Sequence, residues 1–289
     1  MESTVKLWAA LASHFIGECF DAAKPTVDEG LSEINVLVGF VAAELFIDCH
    51  LSSESVLLLV QEQKEWDADI IARSVLEGSF KFTYMLHGTS DEIKAKVIEY
   101  WDVLPGFASI RHSERAKRIL DDAPPGYAET RTFQELILDE AEVAATRNTY
   151  SRQDRQALEE KWSFSGICKS FSKSEDSGLR LLAHLAHGYG MSSHLLHKDA
   201  DGIGMVWERR RRNVERQTAV RLAHSARLVS DVCTFAKLRL MTLLRACQQP
   251  EGVLADLERR HGPLFAQIQA ANQHFRTVEY GDDKSPDLP

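Results

Sequence analysis

The chain has 289 residues, of which 44% are hydrophobic and 27% charged, a composition typical of a soluble globular protein. This length suffices for one large domain or two small ones. Its formal net charge of −9 disfavours general adhesion of the whole surface to nucleic acid or acidic membranes. The five cysteines are scattered and include no C-x-x-C pair, so we expect a reduced, cytoplasmic protein with neither a disulfide framework nor a zinc knuckle.

No membrane partner is predicted. The longest apolar run, from Ile34 to Ile47, is interrupted by Asn35 and Glu44 and is shorter than a membrane-spanning helix requires. The first residues include an apolar patch but no basic segment of the kind that begins a signal peptide.

Helical periodicity runs through the whole sequence, and no segment alternates like a half-buried strand, so the predicted fold class is all-α. Residues 1–276 are expected to form a single all-helical domain, and the polar residues 277–289 a disordered tail. The predicted helices, in chain order, cover residues 3–22, 27–50, a short piece after Ser52 or Ser53, 65–87, 89–101, 105–120, 133–147, 152–162, a piece around Ile167, 175–197, 214–247 and two helices after Pro250 and Pro263.

Several boundaries have a chemical signal. Gly88 can end the helix over 65–87 in a left-handed conformation. Thr89 and Glu92 have the spacing of a capping box, and Pro105 suits the first turn of the following helix. Residues 121–127, with two prolines and a glycine, predict a loop.

Arg73 and Glu77 lie four residues apart, so they can interact across one helical turn. Their neighbours are mostly apolar, which predicts that both charges lie at least partly inside the protein. The pair is either a structural ion pair or part of a functional site, because perturbed charges gather at such sites.

Residues 175–197 concentrate more reactive side chains than any other segment. At about 100° per residue they form two stripes on one helix. The first contains Arg180, His184, His187, Met191 and His194, and the second contains Leu182, Ala186, Tyr189, Ser193, Leu196 and His197. The first stripe suits phosphate binding, whereas the polar groups of the second need buried partners.

The segment IIARSVLEGSFKFTYML together with HGYGMSSHLLH resembles a bacterial family of helical proteins defined by an A-R-S-x-x-E helix and a Y-x-x-x-S-x-x-x-H helix. That family is similar to the HEPN superfamily of helical nucleotide-binding and RNase domains. The resemblance spans about residues 67–197, and its matching positions are Arg73, Glu77, Tyr189, Ser193 and His197. It implies a HEPN-like helical bundle, elaborated by N- and C-terminal helices, in which these two helices share a polar centre.

The HEPN nuclease motif is an arginine and a histidine separated by four to six residues, and Arg180 and His187 meet this spacing. A metal-independent ribonuclease must deprotonate a ribose 2′-hydroxyl, neutralise charge on the phosphate and protonate the leaving oxygen. Histidine and arginine supply these functions. The resemblance also implies a homodimer, because related nucleases build their sites across a two-fold axis.

Two assignments of the catalytic histidine remain open. Either His187 transfers the proton and His197 supports the fold with Arg73 and Glu77, or His197 and that pair form the working site. Arg180 and His187 also fit an exposed polar stripe without catalytic function.

Arg209, Arg210, Arg211 and Arg212 form a basic cluster on an otherwise acidic chain. We expect the cluster at the start of the long helix over 214–247, where positive charge opposes the helix dipole and requires a compensating anion. The acidic residues Asp139 to Glu142 are a structural candidate for that anion, and an RNA or nucleotide phosphate is a functional one.

No cofactor or metal site is predicted. The histidines of the 175–197 segment are too widely spaced along the helix for one zinc ion. The leading prediction is a metal-independent endoribonuclease of toxin or defence type. The alternative is a non-catalytic helical module that binds a nucleotide, nucleic acid or protein partner.

Overall fold

The computed structural model describes residues 2–124, 130–184 and 194–281, and it confirms the all-α prediction because these residues contain no strand. Residues 194–197 form a separate helical turn, which is not one of the helices numbered below. In chain order the α-helices of the described ranges are α1 Glu2–Pro25, α2 Leu31–Ile34, α3 Val36–Gln61, α4 Glu65–Leu86, α5 Ser90–Ile98, α6 Leu104–Asp122, α7 Thr130–Gln134, α8 Glu140–Thr149, α9 Arg152–Trp162, α10 Phe164–Ser172, α11 Ser177–His184, α12 Ala200–Arg210, α13 Val214–Ala246 and α14 Gly252–Tyr280.

The core is a bundle of the long helices α1, α3, α4, α13 and α14, and α13 lies at its centre in contact with the other four. Residues around most of the circumference of α13 are buried, among them Leu228, Val232 and Leu240. A helix with this distribution belongs inside a protein rather than on its surface. On α4, a Cβ at Gly78 would clash with Sγ of Cys49, so glycine there permits the close approach of α3.

The predicted helix over 27–50 is divided, and the short helix expected after Ser52 or Ser53 is part of α3. Asn35 has extended backbone (φ −173°), and its side chain accepts a hydrogen bond from the Leu37 amide, which caps α3. Ser53 does not end α3, because its hydroxyl donates to the Cys49 carbonyl one turn earlier (2.7 Å).

Three predicted boundaries are confirmed. Gly88 follows α4 with a positive φ of 114°. Thr89 and Glu92 form both hydrogen bonds of a capping box at the start of α5. Pro105 lies in the first turn of α6.

The C-terminal prediction was wrong in two respects. The two helices expected after Pro250 and Pro263 are one helix, α14, with Pro263 inside it. The residues beside this proline are anchored in the core through Leu257 and Leu264. The tail expected from residue 277 is also helical through Tyr280, and residues 282–289 lie outside the described ranges.

Within the described residues, α3 is long and apolar enough to cross a membrane by length and composition. A core helix of a soluble protein passes the same test. One face of α3 packs in the bundle through residues such as Val41, Val56 and Val60.

Candidate ligand pocket

A buried carboxylate joins α4 to α13. Oδ2 of Asp69 accepts hydrogen bonds from Nε2 of His224 (2.8 Å) and from Nη2 of Arg227 (2.7 Å). Because His224 and Arg227 are three residues apart, both project from the same face of α13. Asp69 and His224 are both buried, so this is a desolvated polar centre rather than a surface ion pair.

The surroundings hold Asp69 in its ionised form. Burial alone would raise the pKa of its carboxyl, but the hydrogen bond from His224 and the charge of Arg227 outweigh burial and lower that pKa below its usual value. Burial acts on His224 in the other direction: together with the charges of Arg227 and Arg209, it lowers the imidazole pKa despite the contact with Asp69. His224 is therefore neutral near pH 7.

The tautomer of His224 follows from its second neighbour. Nη1 of Arg209 lies 3.3 Å from Nδ1 of His224. A guanidinium can only donate, so Nδ1 accepts and the ring proton is on Nε2, which donates to Asp69. Asp69, His224 and Arg209 thus form a chain in which the basic nitrogen of the imidazole faces an arginine.

Arg209 is held over an aromatic ring. Its guanidinium carbon lies 4.5 Å from the ring centroid of Trp66, a cation–π geometry. The rings of Trp66 and His224 meet edge to face at 5.0 Å. Trp66 therefore fixes both partners of the Nδ1 contact.

A second carboxylate completes the charge cluster. Nη1 of Arg227 donates to Oδ2 of Asp231 (3.0 Å) one turn along α13. A third of the Asp231 side chain is exposed, yet the surrounding protein removes most of the hydration of its carboxylate. This burial raises the pKa of Asp231 to about 6, despite the charge of Arg227.

These residues line a cavity of about 460 Å³, a size typical of small-molecule sites. Its wall combines cationic, aromatic and apolar side chains. The lining residues are Trp66, Asp69, Leu195, Met205, Arg209, Val220, Ala223, His224, Arg227, Asn272, Phe275 and Arg276. Arg276 is exposed and lines this cavity, and within the described ranges it forms no ion pair.

The predicted position of Arg209, Arg210, Arg211 and Arg212 was wrong. They lie at the C-terminal end of α12 instead of starting the next helix: Arg209 and Arg210 are in its last turn and Arg211 is its C-cap. Positive charge at a helix C-terminus is favourable. Asn213 caps the start of α13: its side-chain oxygen accepts a hydrogen bond from the Arg216 amide.

The four arginines also diverge. Arg209 enters the pocket, and the guanidinium carbon of Arg211 lies 4.5 Å from the ring centroid of Trp207. Arg212 pairs with Glu208 (2.9 Å) and Glu279 (3.0 Å). Arg210 is exposed. The compensating carboxylates are thus Glu208 and Glu279, and the acidic residues 139–142 begin α8, where Asp139 and Glu142 form a capping box.

Arg73 and Glu77 interact as predicted: Nε of Arg73 lies 3.3 Å from Oε1 of Glu77, and both side chains are partly buried. Asp69, Arg73 and Glu77 follow one another at intervals of four residues on α4, so they share one face. The sequence analysis named only the last two, although the same spacing identifies the first.

Of the other predicted residues, the structure describes Arg180 and His197. Both Arg180 and His197 are exposed, and Nη1 of Arg180 donates to the carbonyls of Ser174 and Glu175 (2.8 Å each), which anchors the turn before α11. His187, Tyr189 and Ser193 lie outside the described residues.

Four residues of the site were not predicted from the sequence: Asp69, His224, Arg227 and Asp231. A signal for the last three was present, because they recur on one face of α13 at intervals of three and four residues. On that face the polar groups lie among buried apolar residues such as Val220, Leu228 and Phe235, the same pattern that indicated a site in residues 175–197.

Another group of possible ligands lies at the start of α12. His194, Asp199 and Asp201 bring three potential metal-binding atoms within 4.8 Å of one another. Asp199 accepts from the Gly202 amide as the cap of α12 and from Nδ1 of His194 (2.7 Å), and the hydrogen bond and charge of Asp199 raise the pKa of His194. The arrangement is explained by helix capping.

Fold and site together define an all-α helical bundle with a cationic, aromatic-lined pocket between α4, α12, α13 and α14. Comparisons with protein-family models, curated proteins and solved structures gave no match.

Proposed function

We propose that the protein binds a nucleotide in the pocket lined by Trp66, Arg209, His224 and Arg276. The observation that carries the proposal is the combination of arginines with aromatic rings around one cavity of about 460 Å³. Arginine provides bidentate donors for phosphate, and Trp66 and Phe275 provide apolar surfaces for a planar base. This is the binding-module alternative of the sequence analysis, placed at a different site.

Two features of the pocket favour an anion over a neutral ligand. Arg276 faces the cavity without an ion pair among the described residues, and Arg209 contacts a neutral imidazole and an aromatic ring rather than a carboxylate. Either guanidinium can bind a phosphate without first breaking an ion pair with a carboxylate. The desolvation cost of binding is correspondingly smaller.

The experiment is calorimetric titration of the protein with nucleoside 5′-monophosphates, the matching nucleosides and inorganic phosphate. We expect binding of at least one monophosphate, weaker binding of its nucleoside, and loss of about tenfold or more in affinity in Arg276→Ala. Arg152→Ala, which removes an exposed arginine at the start of α9, is the matched control. Absence of binding by every monophosphate contradicts the proposal.

The contact between Asp69 and His224 favours a second candidate, the metal-independent ribonuclease of toxin or defence type. An imidazole oriented by a carboxylate can act as a general base toward a ribose 2′-hydroxyl, with arginines neutralising the phosphate. In this candidate Nδ1 of His224 accepts the proton after Arg209 moves to the phosphate. A homodimer is part of the same candidate.

Integrity of total RNA after induced expression tests the ribonuclease. RNA degraded by the wild type but preserved in His224→Ala supports His224, whereas protection only in His187→Ala or His197→Ala supports the sequence-based assignments. Each variant must retain its helical circular dichroism. Intact RNA in the wild type contradicts the ribonuclease candidate.

A further inference from the structure

An exposed apolar stripe runs along α3, on the side of the helix away from the core. Its members are large hydrophobic side chains separated by four and seven residues in turn, and each is at least 41% exposed: Val36, Phe40, Ile47, Leu51 and Leu58. At about 100° per residue these five positions fall within an arc of about 60°, and they extend about 33 Å along the helix. Buried residues such as Val38, Ala42 and Val60 occupy the opposite side.

The stripe continues onto a neighbouring segment. Trp101, in the π-helical turn Glu99–Val103, is 42% exposed, and its ring meets that of Phe40 edge to face at 5.3 Å. Single exposed hydrophobic residues are common on protein surfaces, but a continuous row over six helical turns is not. The row has the spacing with which one helix packs along another.

The charges on α3 limit what can cover this stripe. The helix contains the carboxylates of Glu44, Asp48 and Glu54 and no lysine or arginine. All three are exposed, and within the described ranges neither Glu44 nor Asp48 forms an ion pair. Two copies of α3 packed together would bring these carboxylates against one another, and an acidic membrane surface would repel them.

We infer that the α3 stripe is a docking surface for a partner protein that presents an amphipathic helix with lysines or arginines beside its apolar face. The apolar residues bury against Phe40, Ile47 and Leu51, and the basic residues pair with Glu44 and Asp48. The partner helix lies along the stripe with its apolar face, and charge sets the orientation and the choice of partner. The surface is independent of the nucleotide pocket.

The probe is a synthetic helical peptide with leucines at the spacing of the stripe and flanking lysines, compared with the same peptide carrying glutamates. Fluorescence anisotropy with the full chain should show the lysine peptide binding more tightly by about tenfold or more. The double variant Ile47→Ser/Leu51→Ser should weaken this binding by a similar factor. Leu136→Ser, at an exposed leucine outside the stripe, should leave it unchanged.

The contribution of charge is measured separately. Glu44→Gln/Asp48→Asn should weaken binding and reduce its dependence on salt, since screening acts on exposed charges. Equal affinity for the two peptides, or unchanged binding in Ile47→Ser/Leu51→Ser, overturns the inference. So does self-association by light scattering, or binding to neutral phosphatidylcholine vesicles, if either is abolished by that double variant.

Discussion

Two arginines on α13 occupy opposite environments. Arg227, at the pocket, is bound by carboxylate oxygens of Asp69 (2.7 Å) and Asp231 (3.0 Å). Arg239, twelve residues further along, is only 1% exposed, and its Nη1 donates to the hydroxyl of Ser79 (2.7 Å). Within the described ranges Arg239 forms no ion pair with a carboxylate, and burial lowers its pKa.

The difference shows what each charge contributes. A buried cation without a carboxylate costs stability, and the ring of Phe46, 5.6 Å from the Arg239 guanidinium carbon, compensates only in part. The cations at the pocket are compensated or partly solvated, so they can exchange protein partners for a ligand phosphate. Charge at the pocket end is therefore available for binding, whereas Arg239 is fixed in the core.

The largest expected effect comes from removing the carboxylate of Asp69, because Arg227 then loses a carboxylate partner and its environment becomes more like that of Arg239. Asp69→Ala should lower the free energy of unfolding by about 3 kcal/mol, because it removes the carboxylate that binds His224 and Arg227. Urea unfolding measures this loss. Asp69→Asn keeps an acceptor for His224 without the charge, so its loss should be smaller. A loss below about 1 kcal/mol in Asp69→Ala would show that the contacts add little.

Local signals in the sequence were sufficient to predict most of the helices and some of the residues at which they begin or end. The capping box at Thr89 and Glu92 and the break at Gly88 depend on neighbouring residues only, so they could be recognised directly. The break at Asn35 was missed, although asparagine is a preferred N-cap residue, because an apolar pattern continues across it.

The site could not be predicted in the same way. Asp69 and His224 are 155 residues apart in the chain. Periodicity assigns each residue to a face of its own helix, but it does not specify which two faces meet. The arginine cluster was misplaced for a local reason: Asp199 caps the start of α12 and Asn213 caps the start of α13, and these caps put the cluster at the C-terminal end of α12 rather than at the start of α13.

The second prediction removes the uncompensated charge. Arg239→Met should raise the free energy of unfolding by about 2 kcal/mol, because a buried ionic group is replaced by an apolar side chain of similar length. Thermal and urea unfolding measure the gain. Arg239→Ala is the control: it also removes the charge but leaves a cavity, and should be less stable than Arg239→Met. A marked loss in Arg239→Met would mean that the Ser79 contact compensates the cation.

The third prediction titrates the second carboxylate at the pocket. Burial raises the pKa of Asp231 to about 6, above the ordinary value of 3.8, so ionisation favours the unfolded state. This carboxyl therefore loses stability as pH rises from about 4 to about 6, and Asp231→Asn lacks the loss.

The stability of Asp231→Asn relative to the wild type should thus increase by about 1–2 kcal/mol across this range, a value reduced for partial exposure. Urea unfolding at a series of pH values measures the difference. The pKa of His224 is lowered, so protonation destabilises the fold as pH falls below 6.5, but this effect is common to both proteins. A difference independent of pH would place the Asp231 pKa at its ordinary value.

The smallest effect is expected at Arg73, whose exposure lies between those of Arg239 and Arg227. Its Nε lies 3.3 Å from Oε1 of Glu77, and the two side chains are 13% and 28% exposed. Arg73→Ala should lower the free energy of unfolding by about 1 kcal/mol, because Glu77 keeps partial access to water and lies 4.0 Å from Nζ of Lys81. Chemical denaturation of Arg73→Ala, Glu77→Ala and the double variant isolates the interaction energy of the pair. A coupling energy near zero would show that the ion pair of Arg73 and Glu77 does not stabilise the fold. A coupling energy of about 3 kcal/mol would show that it contributes as much as the contact of Arg227 with the buried carboxylate of Asp69.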